Sequence, residues 1–255
     1  MSSVTPVVVS TGEPTDVVYV FRRVHDKDFD LEMLYSLRSV KKHLKGYRRI
    51  YVIGEAPRFP EDVCVDFERI PMEDKFKTSQ HNVRAKLQRA VKLENAAPNF
   101  VLMNDDFFFL QEYPAAGIPY YRQGTLPQHI EWREEQAESP YVRALLATKQ
   151  ALESKGLPVT DFECHAPILL DRLSLEVVVG DELFDWAATY GLLFRSLYCN
   201  WLGLKGERRM DLKIDSPMDD KQLDRCFQTC GLLSTGPGGL NEPMMAHLRA
   251  YFPPG

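Results

Sequence analysis

The strongest constraint on the fold is the order of short apolar runs and amphipathic stretches through the first 110 residues. Val17-Val18-Tyr19-Val20-Phe21 is β-branched and aromatic and predicts a short buried strand. Met33, Leu37, Val40 and Leu44 then recur at helical spacing, with Asp30 placed to cap the helix and Gly46 to end it. Arg49 to Gly54 predicts a second strand and Val63 to Ile70 a third. Ser79 is placed to cap a helix that turns Val83, Leu87 and Val91 inward and Arg84, Lys86, Arg89 and Lys92 outward. Phe100 to Met103 and Phe107 to Leu110 read as strands on either side of a polar interruption. Strand alternating with helix implies an α/β fold with a mostly parallel sheet and helices on both faces. Ligands of such sheets bind outside the carboxyl ends of the strands.

The second half is less regular. Pro140 to Lys155 and Glu182 to Trp201 read as helices, Phe162 to Leu170 as extended, and Phe227 to Ser234 as a late strand. A turn at Gly236-Pro237-Gly238-Gly239 precedes a helix capped by Asn241, with Met244, Met245, Leu248 and Tyr251 along it. No repeat or low-complexity tract divides the chain. It reads as a flexible leader over 1–15 and one domain over 16–255.

Charge and cysteine usage narrow the class. A net charge of −5 across 255 residues disfavours a general nucleic-acid binder, which is usually basic. No apolar run reaches the ~18 residues of a membrane span. The first 15 residues lack the pattern of a secretory signal. Five scattered cysteines fit free thiols in a reducing, cytoplasmic setting. Cys226 and Cys230 are spaced to share a helix face, but nothing completes a zinc site.

The most informative words are Asn104-Asp105-Asp106, three oxygen-bearing side chains between Phe100-Val101-Leu102-Met103 and Phe107-Phe108-Phe109. If the chain stays extended, Asn104 and Asp106 face one side and Asp105 the other. Two carboxylates at a strand end suit a hard divalent cation bridging diphosphate oxygens. The bland alternative is a turn whose side chains bond their own backbone. His165 is either a core histidine or a general base, and Arg195, set among leucines, requires an anion, either phosphate or carboxylate. Asp211 and Lys213 share a face if extended, as a surface ion pair or a donor contact. Arg22 and Arg23 follow the first strand at its ligand-binding end. The rows Lys41-Lys42-Lys45-Arg48-Arg49 and Arg84-Lys86-Arg89-Lys92 read as solvated faces, with a polyanionic acceptor as the alternative.

Leu34-Tyr35-Ser36-Leu37-Arg38-Ser39-Val40, Arg49-Ile50-Tyr51-Val52-Ile53-Gly54 and Asn104-Asp105-Asp106-Phe107-Phe108 together resemble the Stealth family of sugar-phosphate transferases. That family includes bacterial capsule-polymer enzymes and the lysosomal-targeting GlcNAc-phosphotransferase. The chain is also similar to short phage-type relatives described as glycosyltransferases. The likeness runs from about Asp16 to Leu110, with islands at His165-Ala166-Pro167, Phe194-Arg195-Ser196 and Leu232 to Gly239. It implies a GT-A-like fold, with 16–110 serving the nucleotide sugar and metal and 111–255 the acceptor and catalysis. By the same resemblance, Asp105 and Asp106 are metal ligands, and Asp106, His165 and Arg195 are catalytic. The resemblance also gives Ser36, Arg38 and Ser79 as donor contacts, beside Arg22, Asn104 and Lys213, which are candidates from their own placement in the chain.

The implied cofactor is Mg²⁺ or Mn²⁺, and the implied donor a UDP-sugar. The acceptor hydroxyl would lie on a glycan, a protein or a modified base of phage DNA. Glycosyl transfer and sugar 1-phosphate transfer both remain open, as does a binding module without turnover. Two stretches depart from the family pattern: Phe21-Arg22-Arg23-Val24-His25-Asp26 after the first strand, and Ser234-Thr235-Gly236 where the family carries an Asn-Asp pair.

Overall fold

The computed structural model describes residues 12–23, 28–60, 66–209 and 213–253. Strand β1 (Thr15–Phe21) lies at the centre of a five-stranded sheet with β2 (Tyr47–Gly54), β3 (Glu68–Pro71), β4 (Asn99–Met103) and β6 (Ile168–Asp171). The order is β6-β4-β1-β2-β3. Val18 pairs with Tyr51 on one side and Leu102 on the other, both parallel, and β2 pairs in parallel with β3. Only β6 runs antiparallel, with Leu169 opposite Val101. This is a mixed α/β architecture with a mostly parallel, helix-flanked sheet, as a GT-A-like fold requires.

The pleat of β1 decides which helices cover which face. Val18 packs with Leu102, Leu87 of α2 (Ser79–Ala90), Leu145 of α4 (Pro140–Glu153), Val178 of α5 (Arg172–Val179) and Leu197 of α6 (Phe194–Trp201). Val17, Tyr19 and Phe21 pack on the other face against Met33, Leu37 and Val40 of α1 (Leu31–His43). The chain leaves β4 and enters β5 (Phe107–Phe109), which belongs to a second, three-stranded sheet with β7 (Lys213–Ile214) and β8 (Leu232–Thr235). Phe108 and Leu233 from that sheet pack with Leu223 and Phe227 of α7 (Asp220–Thr229) and Met244 and Leu248 of α8 (Glu242–Tyr251). Helix α3 (Leu126–Trp132) adds Leu126 to the first core. Among the described residues no helix is long and apolar enough to cross a membrane.

Several local expectations are corrected. Thr78, not Ser79, caps α2: it is extended and its hydroxyl accepts from the His81 N–H at 3.5 Å. Asp30 precedes α1, but its carboxylate is drawn away, accepting from the Arg58 N–H at 2.7 Å and facing Arg23 at 3.6 Å. Helix α1 ends at His43, three residues before the left-handed turn at Gly46 (φ +80°). In place of a helix over Glu182 to Trp201, helices occupy Arg172–Val179 and Phe194–Trp201. Asp171 nucleates the first by accepting from the Ser174 N–H. Phe227 belongs to α7, whose start is fixed by a reciprocal Asp219–Gln222 capping box, so the late strand begins at Leu232. Asn241 does cap α8. Of the predicted third strand Glu68–Pro71 is seen; Asp66 and Phe67 are not strand, and 61–65 lie outside the described residues. Residues 1–11 of the expected leader, His25-Asp26, Cys64 and Asp211 lie outside them too. The cysteines at 199, 226 and 230 are free thiols.

Lys86 reverses its expectation most sharply. Its side chain is 4% exposed; its Nζ donates to the Phe21 carbonyl at 2.7 Å and pairs with Asp74 at 2.6 Å. The adjoining β2 ends in Gly54, where a Cβ would collide with that same carbonyl. The carboxyl ends of β1 and β2 are thus drawn against α2.

Candidate active site

Asn104, Asp105 and Asp106 form the link between the two sheets. The link is a turn, closed by Phe107 N–H donating to the Asn104 carbonyl at 3.4 Å. An extended strand would have split the two carboxylates between faces. The turn instead sets all three side chains along one cleft of about 880 Å³, with His165, Lys213 and Glu32.

Helix α1 holds the turn from beneath. Ser36, fully buried, donates to the Phe107 carbonyl at 2.6 Å and shares a hydrogen bond with Tyr19 at 2.9 Å. One turn later, Ser39 accepts from the Phe109 N–H at 3.1 Å and donates to the Ser36 carbonyl at 2.7 Å. From the other side, Ser234 donates to Asp106 Oδ2 at 3.2 Å, and the Thr235 N–H to the Asp106 carbonyl at 3.1 Å. Thr235 also donates its hydroxyl proton to Glu32 Oε1 at 2.9 Å.

Electrostatics mark the turn as tuned against stability. Burial, then the neighbouring Asp106 and Glu32, push the Asp105 carboxyl up to about 7. Burial also raises Asp106, with His165 and Lys213 opposing and Glu32 reinforcing. Among the described residues Asp106 Oδ1 is buried with no hydrogen-bond partner. A repelled carboxylate pair with an unsatisfied oxygen is a donor set that suits a hard divalent cation. Among the described residues no group of three His, Cys, Asp or Glu is gathered to hold an ion by itself. A Mg²⁺-like ion held by one or two carboxylates completes its shell from substrate oxygens and water.

The raised Asp105 contributes to the pH response of the metal-free protein, in the same direction as Asp106 and Glu163. Between about 4 and 7 the native state keeps a proton on Asp105 that the unfolded chain has released, so stability falls as pH rises through that window. The full shift corresponds to at most about 4 kcal/mol. Urea unfolding at pH 4.5 and 7.5 in chelator should show a loss of order 2 kcal/mol that Asp105→Asn removes. Equal pH slopes in the two proteins would refute the assignment.

A second, smaller cavity of about 160 Å³ adjoins the cleft and shares Asn104 and His165 with it. Its wall contains Arg195, Ser79, Gln80, Glu163, Tyr141 and Phe194. The Arg195 guanidinium is buried, donates to the Ala166 carbonyl at 2.7 Å and lies over the Phe107 ring at 5.6 Å. Burial pulls its pKa down while Glu163 supports its charge. Glu163 is itself pushed up by burial and by Asp161, and its Oε1 accepts from the Ser196 N–H and hydroxyl.

The expected residues therefore divide. Asn104, Asp105, Asp106, His165 and Lys213 share the larger cleft, and Arg195 and Ser79 line the adjoining cavity. Ser36 sits under the turn rather than in a cavity, because Tyr19 and the Phe107 carbonyl claim its hydroxyl. Arg38 turns away to the Phe252 carbonyl at 3.2 Å. Arg22 is exposed, 3.8 Å from Asp74. Reasoning from sequence missed Glu32, Glu163, Ser234 and Thr235. The departure at Ser234-Thr235-Gly236 was the available signal for the last two.

Fold and site define an α/β protein of GT-A-like architecture with an acidic cleft at the carboxyl end of its parallel strands. No family model matches the chain. An exopolysaccharide phosphotransferase of Nocardia farcinica is 25% identical to it over 211 residues, a match covering 74% of this chain. The aligned part is 38% of that relative's length.

Proposed function

We propose that the chain is a metal-dependent transferase that moves a sugar 1-phosphate from a nucleotide sugar to an acceptor hydroxyl. The observation that carries this is the turn at Asn104-Asp105-Asp106, which sets two charge-strained carboxylates beside His165 and Lys213 in one cleft. The likeness to a protein named as a phosphotransferase favours phosphoryl over glycosyl transfer.

In this reading Asp105 and Asp106 hold Mg²⁺ or Mn²⁺, which supplies positive charge to the diphosphate oxygens when bound. Arg195, in the adjoining cavity, faces the donor's phosphate and offsets the negative charge that builds during transfer. His165, in the wall common to both cavities, takes the acceptor proton. The acceptor oxygen bonds to the β-phosphorus, the bond from that phosphorus to the bridging oxygen breaks, and a nucleoside monophosphate leaves. Asn104 and Lys213 orient the donor, while Ser36 keeps the turn in register.

Incubation with UDP-sugars, Mn²⁺ and glycan acceptors should release UMP. Release of UDP would mean attack at the anomeric carbon and would replace this reading with glycosyl transfer.

A further inference from the structure

Two thiols at the carboxyl end of α7 have no task in the proposed transfer. Cys226 and Cys230 lie one helical turn apart, and both are partly exposed. Both pack on the edge of the core that contains Phe227, Leu233 and Met244. Burial, and then Cys230 beside it, push the Cys226 thiol up, and the two side chains share a hydrogen bond. The Cys230 N–H donates to the Cys226 carbonyl at 2.9 Å and closes the last turn of the helix. Cys230 itself is extended (φ −86°, ψ 135°), so its thiol stands where helix gives way to strand.

The strand that follows reaches the candidate site. Gly231 is fixed from two sides: its carbonyl accepts from the Leu110 N–H at 2.9 Å, and a Cβ there would collide with the Tyr113 hydroxyl. Strand β8 then pairs with β5, Leu232 opposite Phe109 and Ser234 opposite Phe107. Ser234 and Thr235, at its far end, are the residues that hold Asp106. One short strand therefore joins the thiol pair to the catalytic turn.

One helical turn separates two Cα atoms by about 6 Å, within the roughly 4.4–6.8 Å that a disulfide spans. The Cβ atoms of such a pair are about 5–6 Å apart, and a disulfide draws them to about 4 Å. Closing the bridge shortens the last turn of α7 at the expense of the bond from Cys230 N–H to Cys226. With Gly231 wedged against Tyr113, that displacement passes into Leu232 to Thr235.

We infer that Cys226 and Cys230 are a reversible oxidation site, closed to an intrachain disulfide by a low-molecular-weight disulfide, and that closure loosens the hold of β8 on Asp106. One cysteine thiolate attacks a sulfur of the small disulfide and expels its first thiolate; the other attacks the mixed disulfide and expels the second. The two protein thiols are oxidised, and the small disulfide takes up their two electrons and two protons to leave as two thiols. Excess thiol reverses the step. The bridge does not depend on the transferase reading; its effect on turnover does.

Glutathione disulfide is the probe. No arginine or lysine lies between Cys226 and Arg249, so trypsin leaves both cysteines in one peptide, 226–249. After treatment of the full chain that peptide should be lighter by two hydrogens, refuse iodoacetamide, and regain both thiols in dithiothreitol. Amide hydrogen exchange of Leu232 to Thr235 should quicken threefold or more in the oxidised chain, and UMP release should fall threefold or more, both reversibly. Cys226→Ser and Cys230→Ser should each abolish the response. The inference is overturned if peptide 226–249 stays reduced, ends as a glutathione adduct or bridges to another cysteine. It is equally overturned if the bridge forms and either exchange or the turnover of an active chain changes less than threefold, or if the serine variants still respond. The wild-type chain, oxidised and reduced, carries the test without any variant. Mass and exchange need no turnover, so a chain that releases no UMP sinks the transferase reading and leaves these two readouts decisive for the thiol pair.

Discussion

Asp106→Asn is expected to lower transfer by about 10³-fold or more while leaving the fold intact. The substitution keeps an oxygen to accept from Ser234, so the hydrogen bond between the turn and β8 survives. It removes a negative charge next to Asp105, whose carboxyl is already pushed up to about 7 by burial and by Asp106. Relief of that repulsion should hold the melting temperature or raise it, the usual signature of a group retained for function against stability. UMP release from a UDP-sugar gives the first readout and thermal unfolding the second. A variant within tenfold of wild-type turnover would remove Asp106 from the chemistry. A variant that lost activity and melted early would make the residue structural.

The parallel sheet was legible because its strands are buried on both faces and so read as continuous apolar runs, as in Val17 to Phe21 and Phe100 to Met103. The Asp105–Asp106 pair was legible for the complementary reason: charge placed between two such runs must have a partner or a task. What sequence patterning missed depends on distant partners. Ser36 lies in a helix motif that reads as a ligand contact, yet its hydroxyl is taken by Tyr19 and by the Phe107 carbonyl, 71 residues away. Arg38 is in the same motif and finds the carbonyl of Phe252, 214 residues away. The approach of Glu32 to Thr235 across 203 residues has no local signature either. In the second half, errors came from element ends: caps at Asp171 and Asp219 start helices that average apolarity does not reveal.

Lys86 shows the same limit with the largest consequence for stability. Helical periodicity assigned it to the solvated row of α2 with Arg84 and Arg89, because a lysine counts as polar wherever it falls. The four-carbon stem instead crosses the helix edge and delivers the ammonium to Phe21 and Asp74, at the carboxyl end of β1 beside the smaller cavity. Lys86→Met keeps the stem's apolar contacts but leaves the Phe21 carbonyl without this donor and Asp74 without its close cation. Arg22, 3.8 Å from Asp74 and 71% exposed, replaces little of it. Breaking one half of a buried pair costs about 3 kcal/mol or more, or roughly 10 °C in melting temperature for a chain of this size. Adding Asp74→Asn should return part of the loss, since the uncompensated carboxylate goes with it. A shift under 3 °C for Lys86→Met, or strict additivity in the double variant, would show that the ammonium is not holding β1 to α2. With the ion pair broken, the carboxyl end of β1 is released from α2 at the wall of the smaller cavity, so the unfolding midpoint and UMP release should fall together in Lys86→Met and recover together in the double variant.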